Sequence, residues 1–140
     1  MIVLIGKKGK KRLFDVAANL ADLRFKGVYF GKQCHPPDLE RVLKRCLEYG
    51  VDKLLLGGTY LEDSMRSYEI AETSTHYYST IGVHPCRASE PAKIQVTLAE
   101  YFATIEHAIQ DMNKHSLVAI GECGLDYDRF KFADKITQNK

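Results

Sequence analysis

The chain alternates between two hydrophobic periods, and that alternation leaves few architectures open. Residues 13–20, Val51–Leu56, residues 77–83 and Leu117–Ile120 are short runs of strand length. Between them lie apolar stripes at helical period. Leu39, Val42, Leu43, Cys46 and Leu47 fall at i, i+3, i+4, i+7 and i+8, and Gly50 ends that helix. Leu61, Met65, Tyr68 and Ala71 mark a second helix, with Glu62 and Arg66 as a surface i,i+4 pair. A third stripe runs from Ile94 through Leu98, Tyr101, Phe102, Ile105 and Ile109 to Met112. The order β-α-β-α-β-α-β has crossovers long enough for parallel pairing. Val51–Leu56 and Leu117–Ile120 are nearly continuous apolar runs, the pattern of strands covered on both faces. The tail from 130 to 140 is polar and reads as the opening of a fourth helix. Two architectures fit: a small open α/β sheet, or about the first half of a (β/α)8 barrel, since a whole TIM barrel takes ~250 residues.

Bulk properties exclude several classes. The 140 residues are 45% hydrophobic and 27% charged with a formal net charge of +2, an ordinary globular mix too weakly basic to imply a nucleic-acid surface alone. No apolar run approaches the ~20 residues of a membrane span. The first five residues are too short for a signal sequence, and their charges follow them instead of preceding them. A cytoplasmic or nuclear location is the simplest expectation. The four cysteines, Cys34, Cys46, Cys86 and Cys123, form no C-x-x-C pair, so free thiols are expected over a zinc site, and Cys123 reads as a small packed hydrophobe. Residues 1–12 read as a basic extension, with five basic residues among positions 7–12. A solvated arm is the plain reading, and an import signal or a phosphate contact the sharper ones.

The chemistry-bearing residues gather at the strand ends. The first run carries Asp15, Asn19 and Asp22; the second ends in Gly57, Gly58 and Thr59; the third in His84; the fourth in Glu122 and Asp126. In a parallel sheet all of these meet one rim, where α/β folds bind ligands. A carboxylate at a strand end is costly to bury unpaired, so Glu122, between Gly121 and Gly124, points to a ligand or a divalent metal. His84 before Pro85 either serves that site or bonds the loop backbone. Asp126 serves the site or caps a turn, and Asp15 reads as a backbone acceptor inside its strand. His35, His76, His107 and His115 show no ligand spacing and read as surface residues.

Three blocks then carry a resemblance. Phe14-Asp15-Val16-Ala17-Ala18-Asn19-Leu20-Ala21-Asp22 with Phe25-Lys26-Gly27-Val28-Tyr29-Phe30-Gly31, then Gly82-Val83-His84-Pro85, then Ala119-Ile120-Gly121-Glu122-Cys123-Gly124-Leu125-Asp126-Tyr127-Asp128-Arg129, resemble in order the eukaryotic branch of the TatD-like deoxyribonucleases. The resemblance covers residues 13–140, which read as one partial hydrolase domain. It implies a TIM-barrel hydrolase that cleaves DNA phosphodiesters with a divalent metal, magnesium or manganese, with zinc as the alternative. Glu122 matches the family's glutamate ligand and so implies the catalytic metal contact. His84, Asn19, Asp15 and Asp126 are expected to position substrate and phosphate.

Two departures qualify this. Bacterial relatives open with an Asp-x-His-x-His metal pair; here the histidine positions are Ala17 and Asn19, and an amide is a poorer ligand than imidazole. The family's later histidines and aspartate lie on strands this sequence does not reach. The expectation is therefore a truncated chain, inactive alone, whose partner is DNA and whose open sheet edges favour self-association. Two alternatives stay open: a non-catalytic interaction or regulatory fragment, and a related hydrolase acting on another ester or amide.

Overall fold

The computed structural model describes the backbone of Ile2–Ile5 and all of residues 12–140; the lysines at positions 7, 8, 10 and 11 lie outside the described residues. In chain order the elements are β1 (Ile2–Ile5), β2 (Arg12–Ala18), β3 (Val28–Tyr29), β4 (Lys32–Gln33), α1 (Leu39–Glu48), β5 (Val51–Leu56), α2 (Leu61–Ala71), β6 (Tyr77–Ile81), α3 (Glu90–Lys93), α4 (Leu98–Asp111), β7 (Leu117–Ile120) and α5 (Lys135–Gln138). The main sheet has the order β1-β2-β5-β6-β7. From β2 onward the neighbours are parallel and each crossover carries a helix, as in successive (β/α) units.

Register decides which side chains face the helices. Leu56 lies opposite Ser79 and Ser79 opposite Leu117, so Leu54, Leu56, Ser79, Ile81 and Leu117 share one face. Leu54 and Leu56 pack with Ala18, Ala71 and Tyr77, joined by Leu43 and Ile70. Ile81 and Leu117 pack with Tyr101, Ile105 and Met112 of the α4 segment. Each fully buried leucine or isoleucine here stabilises the fold by about 2 kcal/mol. The opposite face carries Phe14 and Tyr78 in edge-to-face contact at 6.1 Å, with the Lys53 ammonium 5.5 Å from the Tyr78 ring centre. Coverage of both faces, expected from the apolar runs, is not found among the described residues: Val118 is 48% and Ile120 74% exposed.

Two expectations need correction, and two others gain detail. The apolar start, set aside as a non-signal, is β1, an antiparallel partner of β2 with Ile2 opposite Asp15 and Ile5 opposite Arg12. The third apolar stripe does not make one helix from Ile94: α3 ends there, Gln95 takes a φ of 58°, and α4 starts afresh from a Thr97–Glu100 capping box. The fourth helix is a single short turn, α5. Cys123, read as packed, is exposed.

Candidate active-site rim

The sheet delivers its C-terminal strand ends to one rim, and glycines let them close up. Past β6, Gly82 lies against the chain leaving β7: a Cβ there would come within 2.5 Å of the Glu122 carbonyl oxygen and 2.6 Å of the Gly121 carbonyl carbon. Past β5, a Cβ on Gly58 would lie 2.5 Å from the Thr80 carbonyl oxygen. Only glycine permits these approaches. Two backbone bonds then fix the exit of β7: Gly121 N–H donates to Ile81 O at 2.9 Å, and Glu122 N–H donates to Gly58 O at 2.8 Å. The Gly121–Glu122 peptide is cis.

This backbone holds the Glu122 carboxylate above Gly57, where a Cβ on Gly57 would lie 3.6 Å from Oε1. Glu122 Oε2 is 3.7 Å from His84 Nε2, with the two side chains 50% and 28% exposed. That separation is too long for a direct hydrogen bond. His84 is oriented from behind. Its N–H donates to Thr59 O at 2.9 Å, and the Cys86 N–H donates to its Nδ1 at 3.0 Å. With Nδ1 accepting, the neutral ring carries its proton on Nε2, facing the carboxylate side of the rim.

The remaining predicted residues divide. Asn19 is exposed just past β2, where Gly57 N–H donates to Ala18 O at 3.2 Å, so it stands on the side of Gly57 that continues β2. Asp15 is not brought to Glu122. It lies opposite Leu54 on the helix side, accepts from Ala17 N–H at 3.1 Å, and with burial it helps push the Cys46 thiol on α1 upward in pKa, burial being the larger cause. Asp126 caps a turn, Oδ1 accepting from Asp128 N–H at 3.0 Å, while its own N–H donates to Gln138 Oε1 at 2.8 Å. Its Oδ2 is 3.9 Å from Cys86 Sγ, which ties this turn to the loop behind His84.

Sequence reasoning missed a wall of tyrosine and ion-paired arginines beside Asn19, Arg87 pairing with Glu90 at 3.2 Å and Arg66 with Glu62 at 2.7 Å and Asp63 at 3.2 Å. Arg87 closes the 3-10 turn after His84, its N–H donating to His84 O at 2.7 Å, and its guanidinium stacks on Tyr60 at 4.5 Å. Arg66 reaches the same tyrosine, donating to its hydroxyl at 3.2 Å, and also donates to Asp63 Oδ1 at 3.2 Å. Asp63 is 5% exposed and accepts from Thr59 N–H at 3.0 Å and Thr59 Oγ1 at 2.5 Å. A cleft between the ends of β2 and β5 is lined by Asn19, Thr59, Tyr60, Arg66 and Arg87. The available signal was Arg87 three residues after His84, the spacing that brings it back over the same turn.

No group of three or more histidine, cysteine, aspartate or glutamate side chains gathers as a metal cage among the described residues. The rim offers the Glu122 carboxylate; the His84 ring, with Nδ1 accepting from the Cys86 N–H and its proton on Nε2, stands beside it as a donor and not as a ligand. A single carboxylate suits a hard cation that keeps waters and takes substrate phosphate oxygens, as magnesium does, and does not suit an all-protein cage.

Comparison with known proteins adds a lineage. A family model described as TatD related DNase matches residues 14–140. A Schizosaccharomyces pombe protein named deoxyribonuclease Tat-D is 35% identical over 87% of this chain. A Pantoea ananatis protein named 3'-5' ssDNA/RNA exonuclease TatD is 34% identical over 84% of it. The crystal structure of a TatD family hydrolase from Entamoeba histolytica superposes with a TM-score of 0.72 at 34% identity, over 95% of this chain and 44% of that one. An uncharacterized amidohydrolase from Saccharomyces cerevisiae superposes with a TM-score of 0.71 at 30% identity. The chain spans about two fifths of the curated relatives it matches, 39% of the S. pombe protein and 38% of the P. ananatis one. That partial span fits about half of a (β/α)8 barrel.

Proposed function

This chain belongs to the TatD related DNase family, and we propose that its rim forms the first part of a metal-dependent phosphodiesterase centre acting on DNA. The observation that carries this reading is the half-exposed Glu122 carboxylate, fixed over Gly57 by two backbone hydrogen bonds and facing the Nε2 of an oriented histidine. Glu122 would hold a divalent cation, magnesium or manganese before zinc, the rest of its shell being left to water and substrate oxygens. When bound, such a cation polarises the phosphoryl group and activates water. His84, its Nδ1 held by the Cys86 N–H, directs Nε2–H toward a phosphate oxygen. Asn19 offers an amide N–H on the other side of Gly57. Asp15 and Asp126 act at one remove, shaping the ends of β2 and the loop behind His84. Arg87, stacked on Tyr60 and paired with Glu90 at 3.2 Å, offers its remaining guanidinium N–H groups along the approach.

The test is manganese binding by calorimetry with the purified chain. Glu122→Gln keeps the shape and removes the charge, and because the side chain is half exposed the fold is expected to stay intact. Metal affinity is expected to fall by at least about tenfold, the range seen when even outer partners of a metal are removed. Unchanged affinity, or no affinity in the unmodified chain, would sink the proposal. Cleavage of a labelled oligonucleotide in the same buffer then reads whether this span hydrolyses DNA by itself or only as part of a larger centre.

A second reading, a non-catalytic module that self-associates, is favoured by β7: it is an edge strand of the main sheet, with Val118 and Ile120 exposed. Mass measured in solution decides it. A dimer that Ile120→Lys dissolves supports this role, and a monomer at high concentration removes it. An ester or amide substrate other than DNA is a related alternative within the same chemistry, and no side chain of the rim selects it.

A further inference from the structure

Helix α2 buries polar residues where a helix on a sheet ordinarily buries apolar ones. Its buried positions are Asp63, Ser64, Ser67 and Ala71, and the first three are polar. A buried polar side chain costs stability unless it is hydrogen-bonded. For Asp63 and Ser67 the partners include backbone groups of one turn, that of Gly57, Gly58 and Thr59 just past β5.

Peptide planarity gives these bonds a direction. The plane joining Gly57 to Gly58 is held at both edges: Ser67 Oγ donates to Gly57 O at 3.2 Å, and Gly58 N–H donates to Thr80 Oγ1 on β6 at 3.0 Å. The plane joining Gly58 to Thr59 is held at one edge by Asp63, whose Oδ2 accepts from Thr59 N–H at 3.0 Å. Its other edge is Gly58 O, the acceptor for Glu122 N–H at 2.8 Å. Tilting that plane moves both edges together, so Asp63 sets where Gly58 O points and where the Glu122 backbone stands. A charge-assisted bond at one edge also polarises the peptide and strengthens the bond at the other. The next carbonyl, Thr59 O, accepts from His84 N–H at 2.9 Å. The ion pair with Arg66 does not require any of this, because Arg66 takes Oδ1 and Thr59 takes Oδ2. Asp63 and Thr80 are both buried.

We propose that Asp63 and Thr80 are positioning residues for Glu122: their buried oxygens fix the two peptide planes of the turn from which the Glu122 backbone hangs. The consequence for metal binding rests on the reading of Glu122 as the metal contact, and the consequence for the backbone does not.

Two substitutions at each site separate the oxygen from the packing. Thr80→Val keeps the shape and removes the acceptor; Thr80→Ser keeps the acceptor and removes a methyl group. Asp63→Leu keeps the bulk and removes both oxygens; Asp63→Asn loses the charge facing Arg66 just as leucine does, but keeps a carbonyl oxygen for Thr59. Manganese affinity of the full chain, by calorimetry, is expected to fall about tenfold in Thr80→Val and Asp63→Leu, the lower end for outer partners of a metal. Thr80→Ser and Asp63→Asn are expected to recover it. Hydrogen exchange of the Glu122 amide is followed by NMR in chelator, relative to the core Leu54 amide that bonds His76 O. It is expected to quicken about tenfold in Thr80→Val and Asp63→Leu, and not in their partners. Unchanged exchange in Thr80→Val, or equal losses in Thr80→Val and Thr80→Ser, would overturn the proposal. So would manganese affinity unchanged in Thr80→Val while Glu122→Gln lowers it. Where Asp63→Leu does not fold, the two Thr80 variants decide. Exchange that quickens as expected, while Glu122→Gln binds manganese as well as wild type, removes the metal reading and leaves the positioning standing.

Discussion

Gly82→Ala is expected to destabilise the chain by about 3 kcal/mol, at the upper end for overpacking a buried site, and to lower metal affinity with it. The new methyl would lie 2.5 Å from Glu122 O, 2.6 Å from Gly121 C and 2.8 Å from Gly121 O. All three are backbone atoms, so no rotamer change relieves the overlap and β6 and the exit of β7 must separate. That separation strains the bonds from Gly121 N–H to Ile81 O and from Glu122 N–H to Gly58 O, which hold the Glu122 carboxylate in place. Gly57→Ala is the control: its Cβ would meet Glu122 Oε1 at 3.6 Å, an ordinary contact, and less than about 1 kcal/mol is expected. Urea unfolding of the two variants reads the difference. A Gly82→Ala protein as stable as wild type would mean the strand ends are not packed as described.

Arg66→Ala is expected to cost about 3 kcal/mol, the lower end for breaking a buried ion pair. The side chain is 11% exposed, and its guanidinium spans four groups: Ala21 O, Glu62 Oε1, Asp63 Oδ1 and the Tyr60 hydroxyl. Burial by itself would lower its pKa, but the Tyr60 hydroxyl with Asp63 and Glu62 outweighs that, and the net direction is upward. Without it the Asp63 carboxylate keeps Thr59 but loses its countercharge, and Ala21 O loses a donor. Glu62, 77% exposed, loses almost nothing. Thermal unfolding checks this, with Asp63→Asn on the Arg66→Ala background as the second arm. The amide removes the stranded charge and is expected to recover part of the loss. A double variant no better than the single one would place the cost in packing instead.

The parts of this molecule legible in the sequence are those where one local signal decides the outcome. β5 and β7 were readable because an apolar run stops at glycine, and α2 because its stripe and its ion pair agree. Glu122 and His84 were readable because each ends such a run. Asp15 was legible as a residue but not as a direction: register puts it beside Leu54 on the helix side, and no count along β2 reveals the irregularity between Asp15 and Ala18. Ile94 continues the period of α4, and only the backbone at Gln95 and the cap at Thr97 exclude it. The wall of Tyr60, Arg66 and Arg87 was invisible because its members come from two different connections and meet only when β5 and β6 lie side by side. The β3–β4 hairpin was hidden for the opposite reason, since Phe30, with a φ of 47°, is the wrong residue for its turn.

The antiparallel β1 has a consequence for how this sheet can grow. In a closed (β/α)8 barrel the first parallel strand takes parallel neighbours on both sides. Here the row of backbone donors and acceptors on the outer side of β2 is engaged by four residues running the other way, Ile2 against Asp15 through Ile5 against Arg12. Antiparallel and parallel ladders use that row in different patterns, so it cannot serve two tenants. Ring closure at β2 and residence of β1 are alternatives: any strand arriving to complete a cylinder there must first evict the N-terminal segment, residue by residue, as in a strand exchange.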